Sequence, residues 1–469
     1  MGQFDKTHET NAKTELANMI IMHEYPLSMV NHLGFKRYSK VLQPSFKVPC
    51  RNTIKKEIMK IFEFEKEKTV KLIQMNTSGI AITTDMWTAS NQKKGFMAIT
   101  SHFIDDSWNL HSRLLRFVYV PCPHNADTLH MVLMECLYSW NIHHNLSTLT
   151  VDNCTTDDAM VDLLLVTLRS SSLLVGGKLL HMHCCAHILN LIVKDGLDVI
   201  RESIETIRLS VAYWTGCPKR EEMFVRMARQ MEVGCSKKLI LDCRTRWNST
   251  YLILQTAVEY MTVFPALKTR GYKDVPSEQD WNLVVEIAEK LQLLFKETEL
   301  LFGTKYPIAN LLFPKICQIK LAISKWLQSD FSEVVEMAKK MEEKFEKYWG
   351  VIGTIAIATI LDPRYKLKLI EFYFKQVYPR RVALKVERVK KFAYDLEYSS
   401  CAISHAFDNS SLIESTRPSD NDLGDDDIDA YDAFVSGSIK DTEKSDLERY
   451  LDETVLLMVN DKEFDVLYW

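Results

Sequence analysis

The stretch Thr83-Thr84-Asp85-Met86-Trp87-Thr88 closes an alternating apolar run, and a second apolar run closes at Thr150-Val151-Asp152-Asn153, with the second aspartate 67 positions after the first. Carboxylates at the tips of two strands begin a metal-dependent phosphoryl-transfer site. Hard cations prefer carboxylate oxygen, and two ions about 4 Å apart stabilise both the attacking and the leaving oxygen. Asp85 and Asp152 are therefore the candidate catalytic and metal-ligating residues, and Mg²⁺ or Mn²⁺, weakly held by two ligands, is the candidate cofactor. The alternative is a pair of aspartates that cap loops. His183-Cys184-Cys185-Ala186-His187 offers thiols and imidazoles, the usual ligands of zinc, but four-coordinate closure needs a second pair and no partner CxxC or HxxxH is present. In Arg246-Trp247 the indole can stack on an unpaired base while the guanidinium holds phosphate; equally, the Trp can be helical core beside a solvated Arg.

The elements that would position these residues show in the hydrophobic period. Residues 15 to 75 read as helical, with Leu16, Met19 and Ile20, and then Ile54, Ile58 and Ile61, at helical spacing. From Gly79 the period becomes two: Ile80, Ile82 and Thr84 alternate with Ala81, Thr83 and Asp85 in a first strand, followed by strands over Phe96 to Ile104 and Leu114 to Val120. Asn125 or Asp127 caps a helix whose stripe is Leu129, Val132, Leu133, Cys136, Leu137 and Trp140. A fourth strand over Leu149 to Asp152, a helix with Val161, Leu164, Leu165 and Leu168 on one face, and a fifth strand over Leu179 to Met182 complete the order β-β-β-α-β-α-β. That order matches the ribonuclease-H-like fold up to its last helix. In that fold the first and fourth strands are neighbours, so acids at their ends converge.

Beyond Cys185 the period returns to 3.6 and holds to about residue 395, too long for one closing helix, with Leu291, Leu294, Phe295 and Thr298, and Ile357, Ile360 and Leu361, as core stripes. The fold class is thus α/β, a ribonuclease-H-like core interrupted by a large all-helical insertion. The expected division is an N-terminal helical region over 1–75, the core over 76–185, the insertion over 186–400, an acidic linker over 401–445 and a last segment over 446–469.

Composition narrows the class. The 469 residues are 46% hydrophobic and 26% charged, as in a soluble globular protein, and no apolar run approaches the roughly 18 residues of a membrane span. The N-terminus lacks the apolar core of a signal peptide, so an intracellular protein is expected. Eleven scattered cysteines resemble no disulfide framework and read as reduced thiols. A net charge of −4 excludes a uniformly basic coat but hides patches: Arg380, Arg381, Lys385, Arg388, Lys390 and Lys391 crowd one stretch, and Asp420, Asp422, Asp425, Asp426, Asp427 and Asp429 another.

Seven blocks in order carry a resemblance: Glu15-Leu16-Ala17-Asn18-Met19-Ile20-Ile21, Thr84-Asp85-Met86-Trp87-Thr88, Thr150-Val151-Asp152-Asn153, Cys184-Cys185-Ala186-His187-Ile188-Leu189-Asn190-Leu191, Thr245-Arg246-Trp247-Asn248-Ser249-Thr250, Tyr306-Pro307-Ile308-Ala309-Asn310 and Leu361-Asp362-Pro363-Arg364-Tyr365-Lys366. Together they resemble the hAT transposase superfamily, in particular its plant RICESLEEPER-type members with BED zinc fingers. The resemblance implies an Asp-Asp-Glu triad that binds divalent metal and cuts DNA, with Asp85 and Asp152 as its first two acids, and a hAT-like region over about 270–370. It also implies DNA contact by Cys184 and His187 beside the active site, and by Arg246 and Trp247 at the extruded base of the family's hairpin. His183 stands where relatives carry Arg. The family's third acid, a Glu, would follow a stretch like Asp446 to Asp452, and its BED finger would precede Glu15; neither is within these residues. The expectation is therefore a hAT-transposase-derived, DNA-binding nuclear protein that is catalytically incomplete. Its expected partners are DNA and either a full-length relative or a second copy. The alternatives are a domesticated regulator of transcription or chromatin without enzymatic activity, and an active transposase whose missing Glu comes from a partner.

Overall fold

The computed structural model describes residues 6–89, 93–168, 173–268, 272–299, 309–349, 352–411, 444–457, 464 and 466–467. The chain forms two compact units, Met1–Ser78 with Ser139–Ile142, and Gly79–Tyr138 with His143–Trp469. In the first, α1 (Lys6–Met22), a 3₁₀ turn (Leu27–Asn31), α2 (Leu33–Leu42) and α3 (Arg51–Met75) bury Leu16, Ile20, Val30 and Ile54 together. Thr14 on α1 donates to Glu57 on α3 at 3.2 Å. The helical reading of residues 15 to 75 is interrupted where Pro26 and Pro44 stand, since proline lacks the N–H a helix interior needs.

The second unit begins with β1 (Ile80–Ala89), β2 (Lys94–Ile104) and β3 (Leu110–Val120), an antiparallel meander. Alternation explains β2: Met97, Ile99, Ser101 and Phe103 are buried while Ala98, Thr100 and His102 between them are half-exposed. Next come α4 (Ala126–Ser139), β4 (Leu146–Val151), α5 (Thr155–Thr167) and β5 (His181–His183). Asn125 is the cap of α4, its Oδ1 accepting from the Thr128 N–H at 3.0 Å and the Thr128 hydroxyl at 2.8 Å. The strand order is β3-β2-β1-β4-β5, with β4 parallel to both β1 and β5. This is the ribonuclease-H-like arrangement, with the first and fourth strands side by side.

The fifth strand pairs over His181–His183 rather than Leu179 to Met182. Leu179 and Leu180, which carry the apolar signal, are buried just ahead of the paired residues, although the Leu180 carbonyl already accepts from Leu149 N at 2.6 Å. The chain reaches them through left-handed Gly176 and Gly177; at Gly177 a Cβ would stand 2.8 Å from a Leu165 methyl.

After β5 the chain is helical: α6 (Cys185–Leu197), α7 (Arg201–Thr215), α8 (Pro218–Gln230), α9 (Trp247–Glu259), the short α10 (Val263–Ala266), α11 (Glu278–Glu299), α12 (Ala309–Trp326), α13 (Ser332–Trp349), α14 (Ile352–Ile360), α15 (Lys366–Val377), α16 (Val382–Ser411) and α17 (Asp446–Asp452). One hydrophobic core joins α6 to α16, with Trp214, Phe264 and Phe313 among its largest fully buried side chains. The 3.6 period does not hold throughout. Residues 233–243 are irregular and are pinned by side chains instead: the Tyr260 hydroxyl donates to the carbonyls of Cys235 and Lys237 at 2.8 and 2.9 Å, and Arg208 donates to Asp242 at 2.6 Å.

Helix α16 continues to Ser411, so the chain is still helical where a linker from residue 401 is expected, and the acidic stretch Asp420 to Asp429 lies outside the described residues. Tyr306-Pro307-Ile308 lies outside them too. Arg380 and Arg381, just before α16, and Arg388 and Lys391 within it are exposed. Among the described residues no helix is long and apolar enough to cross a membrane.

Candidate active site

The two aspartates are placed by strand register. Thr83 lies opposite Thr150 in the parallel β1–β4 pair, and Asp85 and Asp152 follow each of them by two residues, so both carboxylates leave the same sheet edge. They interact electrically. Burial and then the charge of Asp152 raise the Asp85 carboxyl above its ordinary range, against the pull of Arg246. A site that crowds two carboxylates is one that a divalent cation relieves, and the donor set of hard oxygens suits Mg²⁺ or Mn²⁺.

The start of α6 closes one side. The Cys184 backbone N–H donates to the Val151 carbonyl at 3.0 Å, which ties the first turn of α6 to the end of β4. One turn on, His187 brings its Nδ1 to 3.5 Å from Asp152 Oδ1. Burial pushes the Cys184 thiol up, helped by the charges of Asp152 and Asp85, and burial pushes Cys185 up to about 12.

The start of α9 lies beside α6. Arg246 is its exposed N-cap residue and acts on Asp85, while the next residue, Trp247, is only 5% exposed and meets Phe295 edge-on at 6.5 Å within the helical core. The adjacent pair is therefore split. Arg246 faces the carboxylates, and the Trp247 ring cannot stack on a base without leaving the core.

Asp157, in the first turn of α5, was not among the residues singled out by sequence. Burial raises its carboxyl, the charges of Asp152 and Asp158 add to this, and the Cys154 thiol donates to it at 3.1 Å. The only hint in the sequence is its place five residues after Asp152, where a first helical turn folds back on the strand it follows. The ribonuclease-H-like sheet thus carries Asp85 inside β1, just past the stretch of it that pairs with β4, and not at the strand tip expected from the sequence, because β1 runs on to Ala89 against β2; Asp152 directly follows β4. A core of this kind with a helical region after it is the ribonuclease-H-like fold class.

The comparisons agree with that class. Residues 83–179 match the family model described as the ZBED1 RNase-like domain, residues 182–290 the ZBED1 RNase-like helical domain, and residues 310–398 the hAT-like transposase, RNase-H fold. A Zea mays protein named as an AC transposase is 35% identical over 482 residues, covering 99% of this chain and 58% of that protein. The Zinc finger BED domain-containing protein RICESLEEPER 2 of Oryza sativa subsp. japonica is 33% identical, covering 97% and 65%, and DAYSLEEPER of Arabidopsis thaliana is 29% identical, covering 98% and 65%. The chain belongs to the hAT-type, transposase-derived family. It spans 58% to 65% of the length of these relatives.

Proposed function

We propose that this chain is a nuclear, DNA-binding hAT-derived protein in which Asp85 and Asp152 form the metal-holding part of a strand-transfer site, with residues 186–400 as a helical insertion into the core. The observation that carries this is the β1–β4 register, which places Asp85 and Asp152 each two residues beyond the paired Thr83 and Thr150.

In this reading Asp85 and Asp152 hold Mg²⁺ or Mn²⁺, His187 steadies the Asp152 carboxylate, and Arg246 takes a DNA phosphate oxygen across the site. A bound ion supplies polarisation of the scissile phosphate and a lower pKa for an attacking water or hydroxyl. Two carboxylates leave a second ion short of ligands, so Asp85 and Asp152 by themselves hold Mn²⁺ weakly.

The test is incubation with an element-end duplex and Mn²⁺. The expected result is duplex bound without nicks, because two carboxylates hold the ion weakly. Nicking that disappears in Asp85→Ala would overturn the weak hold on the ion. Absence of any duplex binding would overturn the assignment to DNA.

A further inference from the structure

We propose that Asp158, His181 and His183 form a second metal site, selective for a transition-metal dication of the Zn²⁺ kind, on the sheet face opposite Asp85. His181 and His183 are two residues apart on β5 and so share a face, with their ring centroids 4.2 Å apart. Their register partners are Leu149 and Val151, both buried, whereas Asp85 shares its face with Thr83 and Thr150. Helix α5 brings Asp158 against the pair, with Oδ1 3.6 Å from His181 Nε2. One ligand atom from each of the three residues lies within 4.8 Å of the others.

Each of the three residues also has a buried polar atom without a hydrogen bond: Asp158 Oδ1, His181 Nε2 and His183 Nδ1. A native interior rarely leaves one such atom unsatisfied, and three that converge on one point call for a common partner. Geometry fits a metal. Ligands about 2.0–2.1 Å from a tetrahedral zinc stand roughly 3.4 Å apart, close to the separation of Asp158 and His181. Chemistry selects among metals. Two imidazoles and a carboxylate suit zinc and its neighbours over Mg²⁺, with a fourth position left to water.

The site is independent of the Asp85–Asp152 assignment and of DNA binding. Its consequence for the fold is a clamp that fastens α5 to β5, on either side of the strand end that carries Asp152. The thiols of Cys184 and Cys185 lie next in sequence to His183 and are the competing ligands to exclude.

The experiment loads the whole chain with Zn²⁺, removes excess metal by gel filtration and measures metal per protein; a parallel sample is loaded with Co²⁺. The expected result is one equivalent of zinc in the wild type, in Cys184→Ala and in Asp85→Asn, its loss in His181→Gln and in Asp158→Asn, and cobalt bands in the visible without an intense near-ultraviolet thiolate band. Circular dichroism of the variants separates lost ligation from lost folding, and the cobalt spectrum of the wild type needs no variant. No retained zinc in the wild type, retention unchanged in folded His181→Gln, loss in Cys184→Ala, or a thiolate band would each overturn the site.

Discussion

Asn190 on α6 accepts a hydrogen bond from the backbone N–H of Trp247 at 3.2 Å and donates its amide to the Thr245 carbonyl at 3.4 Å. One amide thus holds both ends of the turn that contains Arg246, and α9 starts where α6 dictates. Replacing it by Ala leaves the Trp247 N–H without its partner, which costs about 1–3 kcal/mol. Urea unfolding of Asn190→Ala is expected to show a lower midpoint with an unchanged slope. Unchanged stability would mean that water replaces the amide and that the turn is set elsewhere.

Asp85 gives a pH prediction with a definite sign. Its carboxyl is raised above the ordinary value of 3.8, so its favourable contribution to stability is present in the protonated form below that value and is lost as pH rises through the raised one. At neutral pH the charged side chain is a liability that a cation or its removal relieves. Asp85→Asn should therefore keep or raise the melting temperature without metal, and should abolish any rise that Mn²⁺ gives the wild type. A variant that melts lower in metal-free buffer would contradict this. Stability lost on approaching pH 4 from above would have to come from other carboxylates, such as Asp242, which hydrogen bonds from Arg208 and Thr250 hold below its ordinary value despite burial.

Trp247 and its neighbour should respond oppositely to substitution. Trp247→Ala removes a large side chain packed in the helical core and is expected to cost about 3–5 kcal/mol, while Trp247→Phe keeps most of the packing and costs less. If folded Trp247→Phe loses most affinity for single-stranded or hairpin DNA, the ring acts on bases after all.

Arg246→Ala should leave unfolding nearly unchanged, because the side chain is exposed, yet weaken binding to unrelated duplexes alike and reduce the slope of log affinity against log salt by about one. A salt titration of wild type and variant measures this directly. A loss confined to one duplex sequence would point to base reading instead.

Strands were legible because their signals are local. Period-two alternation marks β1 and β2, and two aspartates at equal distance from paired threonines need only the strand order to be brought together. Local signals misled where apolar residues were buried outside a ladder, as with Leu179 and Leu180 ahead of β5, and where side chains rather than periodicity hold the chain, as in residues 233–243. What stayed illegible is tertiary. Nothing near Arg246 in sequence shows that it faces Asp85 while Trp247 turns away, and Asp157 and Asp158 read as ordinary first-turn acids until α5 is laid beside β5.

The block Leu361-Asp362-Pro363-Arg364-Tyr365-Lys366 carries the family resemblance without any chemistry of catalysis. Asp362 is fully buried, held by Arg364 through Nε at 3.0 Å and a terminal nitrogen at 2.7 Å, and by Asn310 at 2.7 Å. Lys366, 3% exposed, reaches across to the Tyr450 carbonyl at 2.5 Å and to Glu453 at 3.3 Å. A buried cation stripped of such acceptors is strongly destabilising. The segment around α17 and the turn before α15 are therefore a lock and its key, far apart in the chain yet fastened to each other. A chimera that exchanges one of them with a distant relative should carry the other along to remain folded.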